Sequence, residues 1–156
     1  MLQKTDRKTP QKSDIRVSIV ASVYNSGFVD GMIEAALTTL AISGAGKVEL
    51  IRVPGAFEIP VVAAKLAKRK RLRPEAILCL GVILRGKTAH ADHVGHSVTQ
   101  SLARIAVETG VPMIHEVLLL DSRAQAKARC LSSETNRGTE AAHTALAMIN
   151  TISDLN

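Results

Sequence analysis

From Val17 to Val23 the chain reads Val-Ser-Ile-Val-Ala-Ser-Val, a largely β-branched run that predicts a buried strand. Asn25-Ser26-Gly27 interrupts it. From Phe28 to Ser43 apolar residues then recur at helical spacing, through Phe28, Met32, Ala35, Ala36, Leu40 and Ala41, with a stop at Gly44. The unit repeats. Val48 to Val53 predicts a strand, Pro54-Gly55 a turn, and Phe57 to about Lys70 a helix with Pro60 in its first turns. Ala76 to Leu84 is a third strand, almost wholly apolar, closed by Arg85-Gly86-Lys87 and followed by a helix over about Ala91 to Thr109. A fourth strand is predicted from Val111 to Leu120, and helices over Ser122 to Cys130 and Asn136 to Ile152. Residues 1–14 are polar, carry Pro10 and lack periodicity, which predicts a mobile tail ahead of a single domain over 15–156.

Strands alternating with helices predict a three-layer α/β/α sandwich around a mostly parallel four-stranded sheet. Right-handed crossovers gather the C-terminal strand ends on one edge, where ligands of such sheets bind. The segments leaving the strands are Tyr24 to Ser26, Pro54 to Glu58, Arg85 to His90 and the turn after Leu120. They hold most of the reactive side chains.

Composition narrows this picture. With 156 residues, 46% hydrophobic and 22% charged, the chain suits one globular domain rather than a disordered segment. The only aromatics are Tyr24, Phe28 and Phe57, so the core must be aliphatic and base-stacking recognition of single strands is disfavoured. A net charge of +6 favours anionic partners. The basic run Lys65, Lys68, Arg69, Lys70, Arg71 and Arg73 reads as a solvated helix terminus in preference to a nucleic-acid patch. Cys79 and Cys130 form no CxxC pair, and Cys79 within an apolar run reads as a core residue. No bilayer-length apolar run and no secretory h-region are present, so the expectation is a cytoplasmic protein with neither membrane nor nucleic-acid partner.

Three stretches carry candidate chemistry. In Gly81 to His96, Gly86 permits a tight turn, and Lys87, Thr88 and a helix start make a plausible anion cradle. His90 enters close to it, suited to moving protons near neutrality, with Asp92 able to steer its ring; helix capping is the competing reading. His90, His93 and His96 do not converge as a metal site would, so no metal is expected. Val53 to Pro60 is a stiff strand-to-helix turn that lets a planar ligand approach the backbone; the helix dipole alone also accounts for Glu58. Arg129 suits either a helix C-terminus or a bound phosphate, and Asn136 reads as a helix N-cap.

These motifs, in this order, resemble the lumazine synthase family of riboflavin biosynthesis. VPGAFEIP at 53–60, LGVILRGKTAHADHV at 80–94 and NRGTEAA at 136–142 carry the likeness, which covers about residues 16–150. The resemblance implies a flavodoxin-like fold. It further implies condensation of 5-amino-6-(D-ribitylamino)uracil with 3,4-dihydroxy-2-butanone 4-phosphate, giving 6,7-dimethyl-8-ribityllumazine, phosphate and water. It needs no cofactor. By the same resemblance Tyr24 stacks on the pyrimidine, while Ala56, Phe57, Glu58, Val82, Ile83 and Leu84 line the ribityl and uracil pocket. Lys87, Thr88 and Arg129 take the butanone phosphate, and His90 moves protons. Asn25, Asp92 and Arg137 support the site, and His115 enters from an adjacent subunit. The implied assembly is a pentamer, or a multiple of it, with sites between subunits.

The sequence departs from the family's pattern at several positions. Ala91 and His93 stand where aromatics are common, Tyr24 where Phe or Trp is, and Arg137 where Lys is. His115 replaces Phe and Ser133 a commonly basic residue. Affinity and pH profile are therefore expected to differ from relatives. A noncatalytic riboflavin- or lumazine-binding relative is the competing reading.

Overall fold

A computed structural model describes residues 14–156, so the predicted tail lies outside the described residues except for Asp14. The strands are β1 (Val17–Ser22), β2 (Val48–Val53), β3 (Ala76–Leu84) and β4 (Met113–Leu120). The helices are α1 (Ser26–Ile42), α2 (Ile59–Ala67), α3 (His90–Thr109), α4 (Arg123–Cys130) and α5 (Arg137–Asp154), with a 3-10 turn over Ala56–Glu58. All the strand pairs are parallel, in the order β2-β1-β3-β4. This is the α/β sandwich that the alternating pattern predicts.

Strand alternation divides the core in two. Val17, Ile19 and Ala21 of β1, with Leu78, Leu80 and Val82 of β3, pack beneath α1, α4 and α5. Val20, Ile77, Cys79 and Val117 pack against α2 and α3 on the opposite face. Each fully buried aliphatic contributes about 1.5–3 kcal/mol. One free thiol lies in each layer, Cys79 in the second and Cys130 in the first, both inaccessible to solvent. Burial pushes the Cys79 thiol up to about 12 and that of Cys130 to about 11.

Several boundaries differ from the sequence pattern, for local reasons. β1 stops at Ser22 because Asn25 adopts a left-handed turn at φ 59°, and α1 starts two residues early, at Ser26. There the amides of Phe28 and Val29 both donate to the Asn25 carbonyl. The helix predicted from Phe57 opens as a 3-10 turn and ends at Ala67 rather than Lys70. Leu72 at φ 55° reverses the chain beyond it, and the Arg73 guanidinium donates to the carbonyls of Ala67 and Thr109, closing the ends of α2 and α3. The basic run therefore lies mostly past the helix, from Lys68 to Arg73, with only Lys65 in its last turn; Arg69 pairs with Glu49 at 2.7 Å, and the hydrogen bond with Arg69 holds the Glu49 carboxyl below its ordinary value. β4 begins after Pro112, which has no N–H to give to a ladder.

One junction fixes how the first layer meets the sheet. Asn136 caps α5 by accepting from the Gly138 amide at 2.8 Å and donates to the Cys130 carbonyl at 2.7 Å. It also reaches the Gly31 carbonyl at 3.3 Å. A Cβ added at Gly138 would lie 1.9 Å from the Met32 carbonyl oxygen, so α5 and α1 approach at a distance only glycine allows.

Candidate active site

Residues leaving β1, β2 and β3 enclose a cleft of about 390 Å³ at the C-terminal edge of the sheet. The first wall is the turn after β1. Its ladder with β2 continues past both strands, through Val23 N to Val53 O at 2.7 Å and Tyr24 N to Pro54 O at 3.0 Å. The Asn25 amide donates to the Val82 carbonyl at 2.7 Å, tying this turn to β3. That bond and the left-handed backbone hold Tyr24 at the cleft with its ring largely exposed, at 74%.

The second wall is the 3-10 turn. Gly55, Ala56, Phe57 and Glu58 line the cleft, and Phe57 is also mostly exposed, at 61%. A Cβ at Gly55 would meet Glu58 Oε2 at 2.9 Å, so glycine lets the carboxylate lie against the backbone. Rings set in water rather than in the core suit a planar ligand. The remaining aromatic, Phe28, is buried with the Arg123 guanidinium 4.9 Å from its ring centre.

The third wall combines the end of β3, from Val82 to Leu84, with Gly86, Thr88 and the start of α3. His90 opens α3, and its amide lies 3.4 Å from Thr88 Oγ1. The unsatisfied amides of this helix start favour negative charge nearby. Arg85 pins the loop from behind: Nε donates to Asp121 at 2.7 Å and Nη1 to Asp92. The Asp92 carboxylate, expected beside His90, is therefore committed to Arg85. Arg85 was not singled out from sequence, since it joins groups seven and thirty-six positions away. Val94 was missed too, although it stands one helical turn after His90.

Other expected site residues do not line this cleft. Lys87 is exposed on the loop beside it. His115 lies on β4, where Nδ1 accepts from the Val117 amide at 3.2 Å. Its Nε2 lies 2.7 Å from Thr99 Oγ1, whose proton goes to the Gly95 carbonyl. Both contacts require the neutral tautomer protonated at Nε2, and burial lowers the pKa of His115. Arg129 is exposed in the last turn of α4. Arg137 opens α5, where Nε and Nη2 donate to Glu116 at 2.9 and 2.6 Å. Burial raises the Glu116 carboxyl above its ordinary value, against the opposing pull of Arg137. His115 and Glu116, adjacent on β4, face opposite layers: Val117 follows His115 into the second core, and Ile114 and Leu118 flank Glu116 in the first.

Among the described residues no three His, Cys, Asp or Glu side chains are grouped to hold a metal ion, and no helix is long and apolar enough to cross a membrane. The arrangement combines a ring-lined cleft, a histidine at a helix start and, elsewhere on the same chain, two arginines at helix ends. It can seat a planar heterocycle and move a proton beside it.

The family model for 6,7-dimethyl-8-ribityllumazine synthase matches residues 14–153. A relative of that name from Kocuria rhizophila is 38% identical over 150 residues, covering 95% of this chain and 94% of its own. Those from Kineococcus radiotolerans and Streptomyces coelicolor are each 42% identical, over 88% and 89% of this chain and 84% and 86% of theirs.

Proposed function

This chain belongs to the 6,7-dimethyl-8-ribityllumazine synthase family and catalyses the family's condensation, and we propose that it does so in the cleft beside His90. The reaction joins 5-amino-6-(D-ribitylamino)uracil to 3,4-dihydroxy-2-butanone 4-phosphate and releases phosphate and water. In this reading the uracil lies against Tyr24, with its ribityl chain along Ala56, Phe57, Glu58 and the end of β3. The observation that carries the assignment is the gathering of Tyr24, the 3-10 turn, residues 82–84 and His90 around one cleft.

The chemistry suits such a site. An aromatic amine must attack a ketone, water must leave the carbinolamine, and phosphate must leave the butanone carbon before ring closure. Holding both substrates together supplies much of the acceleration. The His90 imidazole, beside the reacting carbonyl, takes the proton from the attacking amine and returns it to the departing oxygen. Thr88, Lys87 and the amides at the start of α3 take the phosphate end, with Arg129 as the main counter-charge.

Arg129, Arg137 and His115 stand outside the cleft on the chain that forms it, which supports a site completed by a second copy. Head-to-tail contacts between copies form a ring when their rotation closes, and the assembly proposed is a cytoplasmic homo-pentamer, or a multiple of it, of the domain 15–156. Mixing both substrates with the purified chain should give lumazine absorbance and one phosphate per product. Binding of both substrates without phosphate release would favour the noncatalytic reading, and a monomer at working protein concentration would remove the shared site.

A further inference from the structure

Glu116 takes no part in the chemistry above, and stability does not account for it. It is the one buried charged residue among those described, with its side chain 7% exposed. Its strand neighbours on the same face, Ile114 and Leu118, belong to the aliphatic core beneath α1, α4 and α5. A carboxylate there is costly unless paired. The partner, Arg137, is placed against its own interest too, because the start of a helix disfavours a cation. An apolar pair of similar volume would serve packing as well or better. Departures from local rules on both sides of a contact are expected at functional sites.

The contact has the geometry of a holder. Arg137 donates along one edge, Nε to Oε2 and Nη2 to Oε1, which fixes the plane of the guanidinium. Two of its five N–H donors are used in this grip, leaving three uncommitted to Glu116. Arg129 is close enough to favour the ionised form of the same carboxylate. Arg137 is thus the ion-pair partner of Glu116, at the start of α5, with Arg129 at the end of α4 a weaker favourable charge and Glu140 an opposing one.

We propose that Glu116 is a positioning residue for the anion-binding half of the site, holding Arg137 so that its free N–H groups meet the substrate phosphate in one fixed orientation beside Arg129. The inference rests on the reading that these arginines complete a neighbouring copy's cleft. It carries a sign that can be tested. By Coulomb's law alone, removing a carboxylate beside a phosphate seat tightens phosphate binding. Losing the holder weakens it.

The test uses the full assembled chain as Glu116→Gln, Glu116→Asp, Arg137→Lys and the double variant Glu116→Gln/Arg137→Lys. For Glu116→Gln the KM of the butanone phosphate should rise about tenfold, with the KM of the uracil substrate little changed. Glu116→Asp should recover part of that loss, and the double variant should be no worse than Arg137→Lys alone. An unchanged or lowered KM for the phosphate substrate, or additive effects in the double variant, would overturn the proposal, whatever happens to the melting temperature. Should the unaltered chain form no product, the reading of the reaction fails separately. Calorimetric titration with inorganic phosphate then decides the role of Glu116: weaker binding in Glu116→Gln supports it, equal or tighter binding refutes it. If Glu116→Gln does not assemble, Glu116→Asp carries the same comparison, with a smaller loss of phosphate affinity expected.

Discussion

The His115 imidazole is held at both nitrogens, by the Val117 amide and the Thr99 hydroxyl, and this makes its charge state part of the fold. Because burial lowers its pKa, the folded chain takes up the proton less readily than the unfolded chain does. The stabilising effect is fully present above the ordinary value of 6.5 and is lost as pH falls below it. Thermal melts at pH 7.5 and 5.5 should show a fall for the unaltered chain and a smaller one for His115→Phe; equal falls would put the pH dependence elsewhere. Residue identities made this side chain legible as a ring at a boundary, but not its bonds, one to its own strand two residues on and one to a helix residue sixteen positions away. Glu116 was overlooked for a related reason. In an apolar strand read by its run of Ile, Val and Leu, one carboxylate passes for an outward residue until the register shows it flanked by core positions. Asp92 is the converse case: its nearness to His90 in sequence suggested a partner, and the fold supplies Arg85 instead.

At the scale of elements, the order and type of strands and helices were readable because each carries its own periodicity, and the ends were less so because ends are set by contacts. The predicted helix to Lys70 stops at Ala67, where Arg73, thirty-six positions from Thr109 in sequence, closes two helices at once. The meeting of α1 and α5 was likewise hidden. Nothing local to Asn136-Arg137-Gly138 announces that Gly138 lies against the Met32 carbonyl. Gly138→Ala should therefore force α5 away from α1 and destabilise the chain by about 3 kcal/mol, the upper part of the range for overpacking. Denaturant titration measures this directly, and a change below about 0.5 kcal/mol would mean that α5 shifts without cost. Asn136 moves with the same junction, so damage there should reach the nearby Arg137 and weaken phosphate binding as well.

For the whole molecule, the decisive feature is that cleft and arginines occupy different parts of the chain. If two copies share each site, His90→Ala and Arg129→Ala are defects in different halves. Co-expressed at equal levels and randomly assembled, they should regain about a quarter of the unaltered activity, since a quarter of the sites unite two intact halves. Activity no greater than the average of the two parents would place both residues in the same copy's site. No pattern of residues within one chain reveals such a division, which is why the sequence suggests candidate residues more readily than how copies would share them. The two thiols give the molecule a different use. Cys79 lies on an inner strand, facing one layer, and Cys130 at the end of an eight-residue helix in the other, so alkylation of each reports the opening of its own face. Maleimide pulses read by mass spectrometry should mark Cys130 well before Cys79, with Cys79 labelled only at the rate of global unfolding. Simultaneous labelling would mean that the layers part together. The protein carries, in two atoms of sulfur, its own record of which side lets go first.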